Sequence, residues 1–240
     1  MDRRHDFQSF VRIIKALRAE NGCPWDREQT HESLKPCMTE EAAELLAAIR
    51  IYEKTGDAEN MREELGDILL QVVMHSVIAE EEGLFTVEDV VDEVSEKMIR
   101  RHPHVFGNVQ AETSDQVLVN WEEIKKKEKE GKSWIKSPLR EIPQELPSLA
   151  RACKVIKKAD KLYRDKEPVP EAEALLDDME ATLSGMRTAM ENESAEQIKE
   201  TFSRMLWQMA QLAYRAKLSP EQLLTDKIAD KIEFFEPDYE

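Results

Sequence analysis

The chain has 240 residues and a formal net charge of -16, so its surface repels nucleic-acid duplexes and anionic membranes. Its three cysteines, Cys23, Cys37 and Cys153, form no CxxC pair, which argues against a disulfide framework and for a reducing compartment. The N-terminus lacks an apolar leader core and no run reaches membrane-spanning length, so a soluble cytoplasmic protein is expected.

Only seven glycines, 6% aromatic and 35% charged residues favour helices over strands. Helical periodicity runs through almost the whole chain, beginning with apolar residues at helical spacing over 7–20. NGCPWDREQT (21–30) is rich in turn formers and reads as a loop. Thr39 is placed as the N-cap of a helix over 40–52. TGDAEN is the next turn, with Asn60 as cap of a long helix over 61–83 that ends at Gly83. Thr86 opens the following helix with a TVED capping box, and Pro103 stops it at or before His102.

HPHVFGNVQAETS (102–114) reads as irregular and 115–132 as a polar helix. SWIKSPLREIPQELPS (133–148) carries Pro138, Pro143 and Pro147 and is the linker candidate. Helices over 147–164, 171–191, 195–216 and 220–235 follow, with Pro170 near the start of the second and Ser219-Pro220 opening the last.

The two halves resemble each other, element by element and in the same order. FVRIIKALR (10–18) runs parallel to LARACKVIK (149–157), and EELGDILLQVVMHSVIAE (63–80) to ETFSRMLWQMAQLAYRAK (200–217). EKMIRRHPHVF (96–106) matches DKIEFFEPDYE (230–240), with Pro103 on Pro237. The expected organisation is an all-α tandem of helical bundles: a domain over 1–135, a linker over 136–146 and a second domain over 147–240.

Glu40, Glu41 and Glu44 form an EExxE run, and Glu64 and Asp67 an ExxD run. Residues three apart on a helix share a face, so each run aims two carboxylates one way. Two antiparallel helices joined by the short turn near 54–60 bring the runs together. Four hard oxygen ligands suit Mg²⁺ or Mn²⁺. In a chain with 50 acidic residues such spacings also arise on solvated surfaces. Here the acids continue stripes that are otherwise apolar, Leu45 and Ala48 on one helix and Gln71, Met74 and Ile78 on the other. Carboxylates on buried stripes need a partner, and four together repel one another without a cation. A metal site and a solvated acidic face both stay open at this level.

Lys97 and Arg101 are four apart on one helix, and Trp121 and Lys125 on another. Such groups suit triphosphate oxygens, or simply an exposed helix surface. Trp25, in CPWD, fits base stacking or a packing role. Cys23, His31, Cys37, His102 and His104 do not have zinc-ligand spacing, and no Gly-rich phosphate loop or serine nucleophile elbow occurs.

NGCPWDREQTHESL, EEAAEL, EELGDILLQVV and KMIRRHPHVF, in this order over residues 7–131, resemble the MazG-type nucleoside triphosphate pyrophosphohydrolases. The resemblance implies an all-α bundle completed by dimerisation. It also implies Mg²⁺-dependent hydrolysis of nucleoside triphosphates at the α–β bond, to a monophosphate and pyrophosphate. Carried over residue by residue, it assigns metal ligation to Glu41, Glu44, Glu64 and Asp67, with Glu40 as an outer acid. It places Lys97, Arg101, Trp121 and Lys125 at the triphosphate and Trp25 near the base.

The second half departs from the pattern. Thr201 and Arg204 stand opposite Glu64 and Asp67, and Thr182 and Gly185 opposite Glu41 and Glu44. Phe235 replaces Arg101. One active site is therefore expected, in the first half, with a degenerate second repeat that is structural or builds a homodimer. The competing readings are a non-catalytic nucleotide-binding or interaction protein, and a hydrolase of another pyrophosphate metabolite such as phosphoribosyl-ATP.

Overall fold

The computed structural model describes residues 4–129 and 137–237. The described residues hold eleven α-helices and no strand, as the composition implied. The chain divides into two compact units, one through Glu128 and one from Lys129. The expected end of the polar helix at 132, the start of the linker segment and the end of the 230–240 match lie outside the described residues.

The first unit opens with α1 (Phe7–Arg18), capped by Asp6, whose side chain accepts from the Ser9 backbone N–H. The stretch expected as a loop contains a short helix, α2 (Pro24–Glu28). Pro24 pre-sets its first turn. Arg18 anchors it from outside: the buried guanidinium donates to the backbone oxygens of Asp26 and Gln29 and pairs with Glu81. Turn-forming composition cannot register such a distant clamp.

Helix α3 (Lys35–Thr55) starts a full turn before the expected position, after Leu34 and with Pro36 in its first turn. Thr39 is not its cap. The Thr39 hydroxyl lies inside the helix and donates back to the Lys35 carbonyl at 3.1 Å. Gly56, at φ 78°, closes the helix in the left-handed region that suits glycine.

Helix α4 (Glu59–Glu81) follows Ala58. Asn60 does not cap it either. Asp57 accepts from the Glu59 N–H at 2.9 Å, which leaves Asn60 inside the first turn, donating to Glu64 Oε1 at 2.8 Å. Helix α5 (Val87–Arg101) has the expected Thr86–Asp89 capping box and stops before His102. Within the stretch expected to be irregular, α6 (Pro103–Phe106) forms a single turn, and α7 (Ser114–Lys129) follows.

Helix α4 is central to this unit and packs against α3, α1 and α5. Its second half is buried, and Val73, Met74, Val77 and Ile78 form the core with Val11, Ile14, Leu34 and Val87. Burial of that apolar area is the dominant stabilising term. It holds α3 and α4 side by side, which matters for the acids at their near ends.

The second unit contains α8 (Ser148–Tyr163), α9 (Ala172–Glu191), α10 (Ala195–Arg215) and α11 (Pro220–Phe235), within two residues of the expected ranges. Here α10 is central and packs against α9, α8 and α11. Ile156, Val169 and Ala210 form its core, flanked by Cys153 and Tyr214. Ile142 is buried and Glu141 pairs with Lys158 at 2.6 Å, so this part of the proline-rich stretch is held to the second unit. Among the described residues no helix is long and apolar enough to cross a membrane.

Candidate metal centre

The hairpin of α3 and α4 brings Glu41, Glu64 and Asp67 together. Each offers a carboxylate oxygen, and these atoms lie within 4.8 Å of one another. Glu64 is 9% exposed, and Glu41 and Asp67 are half-buried. Asn60, one turn before Glu64, donates to it and fixes that carboxylate. No described Lys or Arg forms an ion pair with any of the three.

Glu44 and Glu40 are exposed and stand outside this trio. Both still act on it: the Glu41 carboxyl is pushed above its ordinary 4.5 by desolvation first, then by the charges of Asp67, Glu44, Glu64 and Glu40. Clustered carboxylates that lack a basic partner repel, and a hard divalent cation is what such a donor set fits.

A pH dependence follows. A cation held by this trio would need Glu41 ionised, so its affinity is expected to fall as pH is lowered through the raised pKa. In the cation-free chain the sign reverses. A carboxyl raised by folding adds stability as pH falls through that window and removes it as pH rises. Mn²⁺ titrations between about pH 5 and pH 8 should show the affinity drop at the acidic end. A flat profile over that range would contradict this account of Glu41.

The expected basic and aromatic residues of the triphosphate site lie on α5 and α7. Arg101 donates from Nε to Glu128 Oε2 at 3.1 Å and also pairs through Nη2, and Arg100 Nε reaches Glu128 Oε1 at 2.8 Å. Arg101 lies over the Trp121 ring at 5.1 Å, and His102 meets the same ring edge-on at 5.1 Å. Hydrogen bonds from Arg101 and Arg100 pull the Glu128 carboxyl down to about 2. Lys97 and Lys125 are half-buried on the same two helices.

The structure therefore brings Arg101 and Trp121 together and adds a carboxylate that sequence reasoning missed. Glu128 lies seven residues after Trp121, hence on its helix face, a signal hidden in a run of mixed charge. Trp25 is 64% exposed on α2 and plugs no core.

In the second unit the residues that the sequence comparison sets opposite the acids lie in a different arrangement. Asp178 accepts from Arg204 at 2.9 Å and 3.0 Å, and Gln208 Nε2 donates to Asp178 at 3.0 Å and to Thr182 Oγ1 at 3.1 Å. A Cβ added at Gly185 would lie 3.8 Å from the Thr201 methyl group. Thr182, Gly185, Thr201 and Arg204 thus share one locus, where an internal arginine balances the acid.

Residues 29–106 match the family described as the MazG nucleotide pyrophosphohydrolase domain. The chain is 39% identical over 230 residues to the nucleoside triphosphate pyrophosphohydrolase/pyrophosphatase MazG of Thermotoga maritima, covering 95% of this chain and 84% of that protein. It is 46% identical over 147 residues to the Escherichia coli K12 nucleoside triphosphate pyrophosphohydrolase, 61% of this chain and 54% of that one. It is 51% identical over 153 residues to the uncharacterized protein YabN of Bacillus subtilis, 64% of this chain and 30% of that one. The chain thus spans most of the Thermotoga protein, about half of the Escherichia protein and less than a third of the Bacillus protein.

Proposed function

The chain belongs to the MazG nucleotide pyrophosphohydrolase family, and from that premise we propose that it hydrolyses nucleoside triphosphates to the monophosphate and pyrophosphate with a divalent cation, Mg²⁺ or Mn²⁺. The observation that carries the proposal is the convergence of Glu41, Glu64 and Asp67 without a basic partner. The names of the Thermotoga and Escherichia relatives support the reaction class.

Glu41, Glu64 and Asp67 would hold the cation, with Glu44 and Glu40 outside them adding negative potential. Bound there, a divalent cation supplies charge neutralisation at the phosphates and an activated water. The protein's own contribution is positioning. Asn60 fixes Glu64 for this task, and the rigid α3–α4 hairpin sets the spacing of the acids. Arg101, presented on the Trp121 ring, would take phosphate oxygens in place of Glu128, with Lys97 and Lys125 beside it. Trp25, exposed on α2, is free to stack on a base.

The second unit is assigned a structural role as a degenerate repeat. At the locus of its lost acids stands the Asp178–Arg204 pair, which needs no cation. Leu65, Leu69 and Val72 on α4 are 51%, 39% and 37% exposed, and this apolar face supports a homodimer that covers it with a second copy of the chain. The deciding experiment is a panel of nucleoside triphosphates with pyrophosphate release measured with and without Mg²⁺. Release that requires Mg²⁺ is expected for part of the panel, and no release from any substrate would refute the proposal.

A further inference from the structure

Gln71 lies on the face of α4 that carries the acids. Positions 64, 67 and 71 are spaced three and four apart, so their side chains follow one another along one stripe. Gln71 is 6% exposed, and its Oε1 has no hydrogen-bond partner. No described residue accepts from its Nε2 either. A buried amide oxygen left without a partner costs about 1–3 kcal/mol, so the position calls for an explanation.

The second unit supplies an internal control. Gln208 occupies the equivalent place in ETFSRMLWQMAQLAYRAK and is 2% exposed. There the amide nitrogen is used by the protein itself, donating to Asp178 and Thr182. Gln208 Oε1, like that of Gln71, is buried without a hydrogen-bond partner, so the two sites differ at the amide nitrogen: where the acids are replaced it is used by the protein, and where they are kept it is left open. On the other side of the trio, Asn60 already shows what an amide does here, since it stands four residues before Glu64 and donates to it. Gln71 stands four residues after Asp67, the mirror position on the same stripe.

We propose that Gln71 is a positioning residue of the metal centre, its amide kept free to donate to the Asp67 carboxylate and to accept from the water shell of the cation. The inference rests on the reading of Glu41, Glu64 and Asp67 as a cation site. Groups that orient metal ligands in this way change metal affinity by about 10–100-fold when removed. Substituting Gln71→Met keeps the volume and removes the amide. Helical content by circular dichroism is expected to stay constant.

The test is a Mn²⁺ titration of the full chain, followed by the electron paramagnetic resonance of free Mn²⁺. The dissociation constant of Q71M is expected to rise about tenfold, whereas Gln208→Met leaves it unchanged. A Q71M value within about twofold of wild type, or an equal loss in Q208M, would overturn the proposal. If Q71M does not fold, the unmodified chain decides. With ¹⁵N labelling, the Gln71 side-chain NH₂ resonance is expected to shift when Mg²⁺ is added, and an unmoved resonance overturns the proposal. A wild-type chain that binds no Mn²⁺ at all would instead remove the cation site on which the inference rests.

Discussion

Replacing Glu41 by Gln together with Asp67 by Asn is expected to lower Mg²⁺-dependent pyrophosphate release on the order of a thousandfold without unfolding the chain. Both substitutions keep shape and remove charge from the trio of carboxylates that lie within 4.8 Å of one another. A cation held by fewer ionised ligands loses several kcal/mol of charge stabilisation, and about 4 kcal/mol corresponds to that factor in rate. Stability should move the other way. Glu41 is held above its ordinary pKa by desolvation and by neighbouring acids, so its charge opposes folding when no cation is present. The double variant is therefore expected to melt at or above the wild-type temperature in chelator, and to lose the rise in melting temperature that Mg²⁺ gives the wild type. A variant that turns over at the wild-type rate would refute the assignment. One that is inactive because it no longer folds would point to a structural role for the acids.

Arg101→Gln is expected to raise KM for a triphosphate substrate about tenfold to a hundredfold, with a smaller effect on kcat. Hydrogen bonds to charged groups contribute about 1.5–3 kcal/mol each, and Arg101 can make more than one from its planar fork. In the free chain those donors are engaged by Glu128, so substrate must displace a carboxylate that Arg100 also holds. Removing Arg101 takes away the first of the hydrogen bonds that keep Glu128 near 2, and its pKa should return toward the ordinary range. The sign is that of a depressed acid: the stability it contributes is present above its ordinary pKa and lost as pH falls toward the folded value. R101Q should thus also lose part of its stability at neutral pH, which a melting curve measures beside the kinetics. An unchanged KM with lowered stability would make Arg101 a strut between α5 and α7 and take it out of the triphosphate site.

Much of the helix pattern was legible because amphipathic periodicity and caps are local. The Thr86 capping box, the stop before Pro103 and all four helices of the second unit depend on neighbours within a turn or two. Where local signals misled, the deciding partner lay elsewhere or one residue away. Thr39 has cap chemistry, but Pro36 already starts the helix before it. Asn60 has it too, but Asp57 takes the capping role and frees Asn60 for Glu64. The helix at Pro24 is pinned by Arg18, which bridges to Glu81 on α4.

Of the acids, spacing alone put Glu41 with Glu44 and Glu64 with Asp67, one turn apart on one face each. That periodicity is a property of the single helix, so the sequence by itself determined an all-α chain and two carboxylate runs able to converge. The angle between two packed helices is a property of their contact. Only the packing of α3 on α4 decided that Glu41 joins Glu64 and Asp67 while Glu44 turns to solvent. The same holds for Glu128, which reaches Arg101 only when α7 docks on α5, and for Gln71, whose amide oxygen is informative only because it is buried without a partner. Residue types and their order carry the chemistry that is available; distance, burial and the partners that remain unmade arise only when the helices pack.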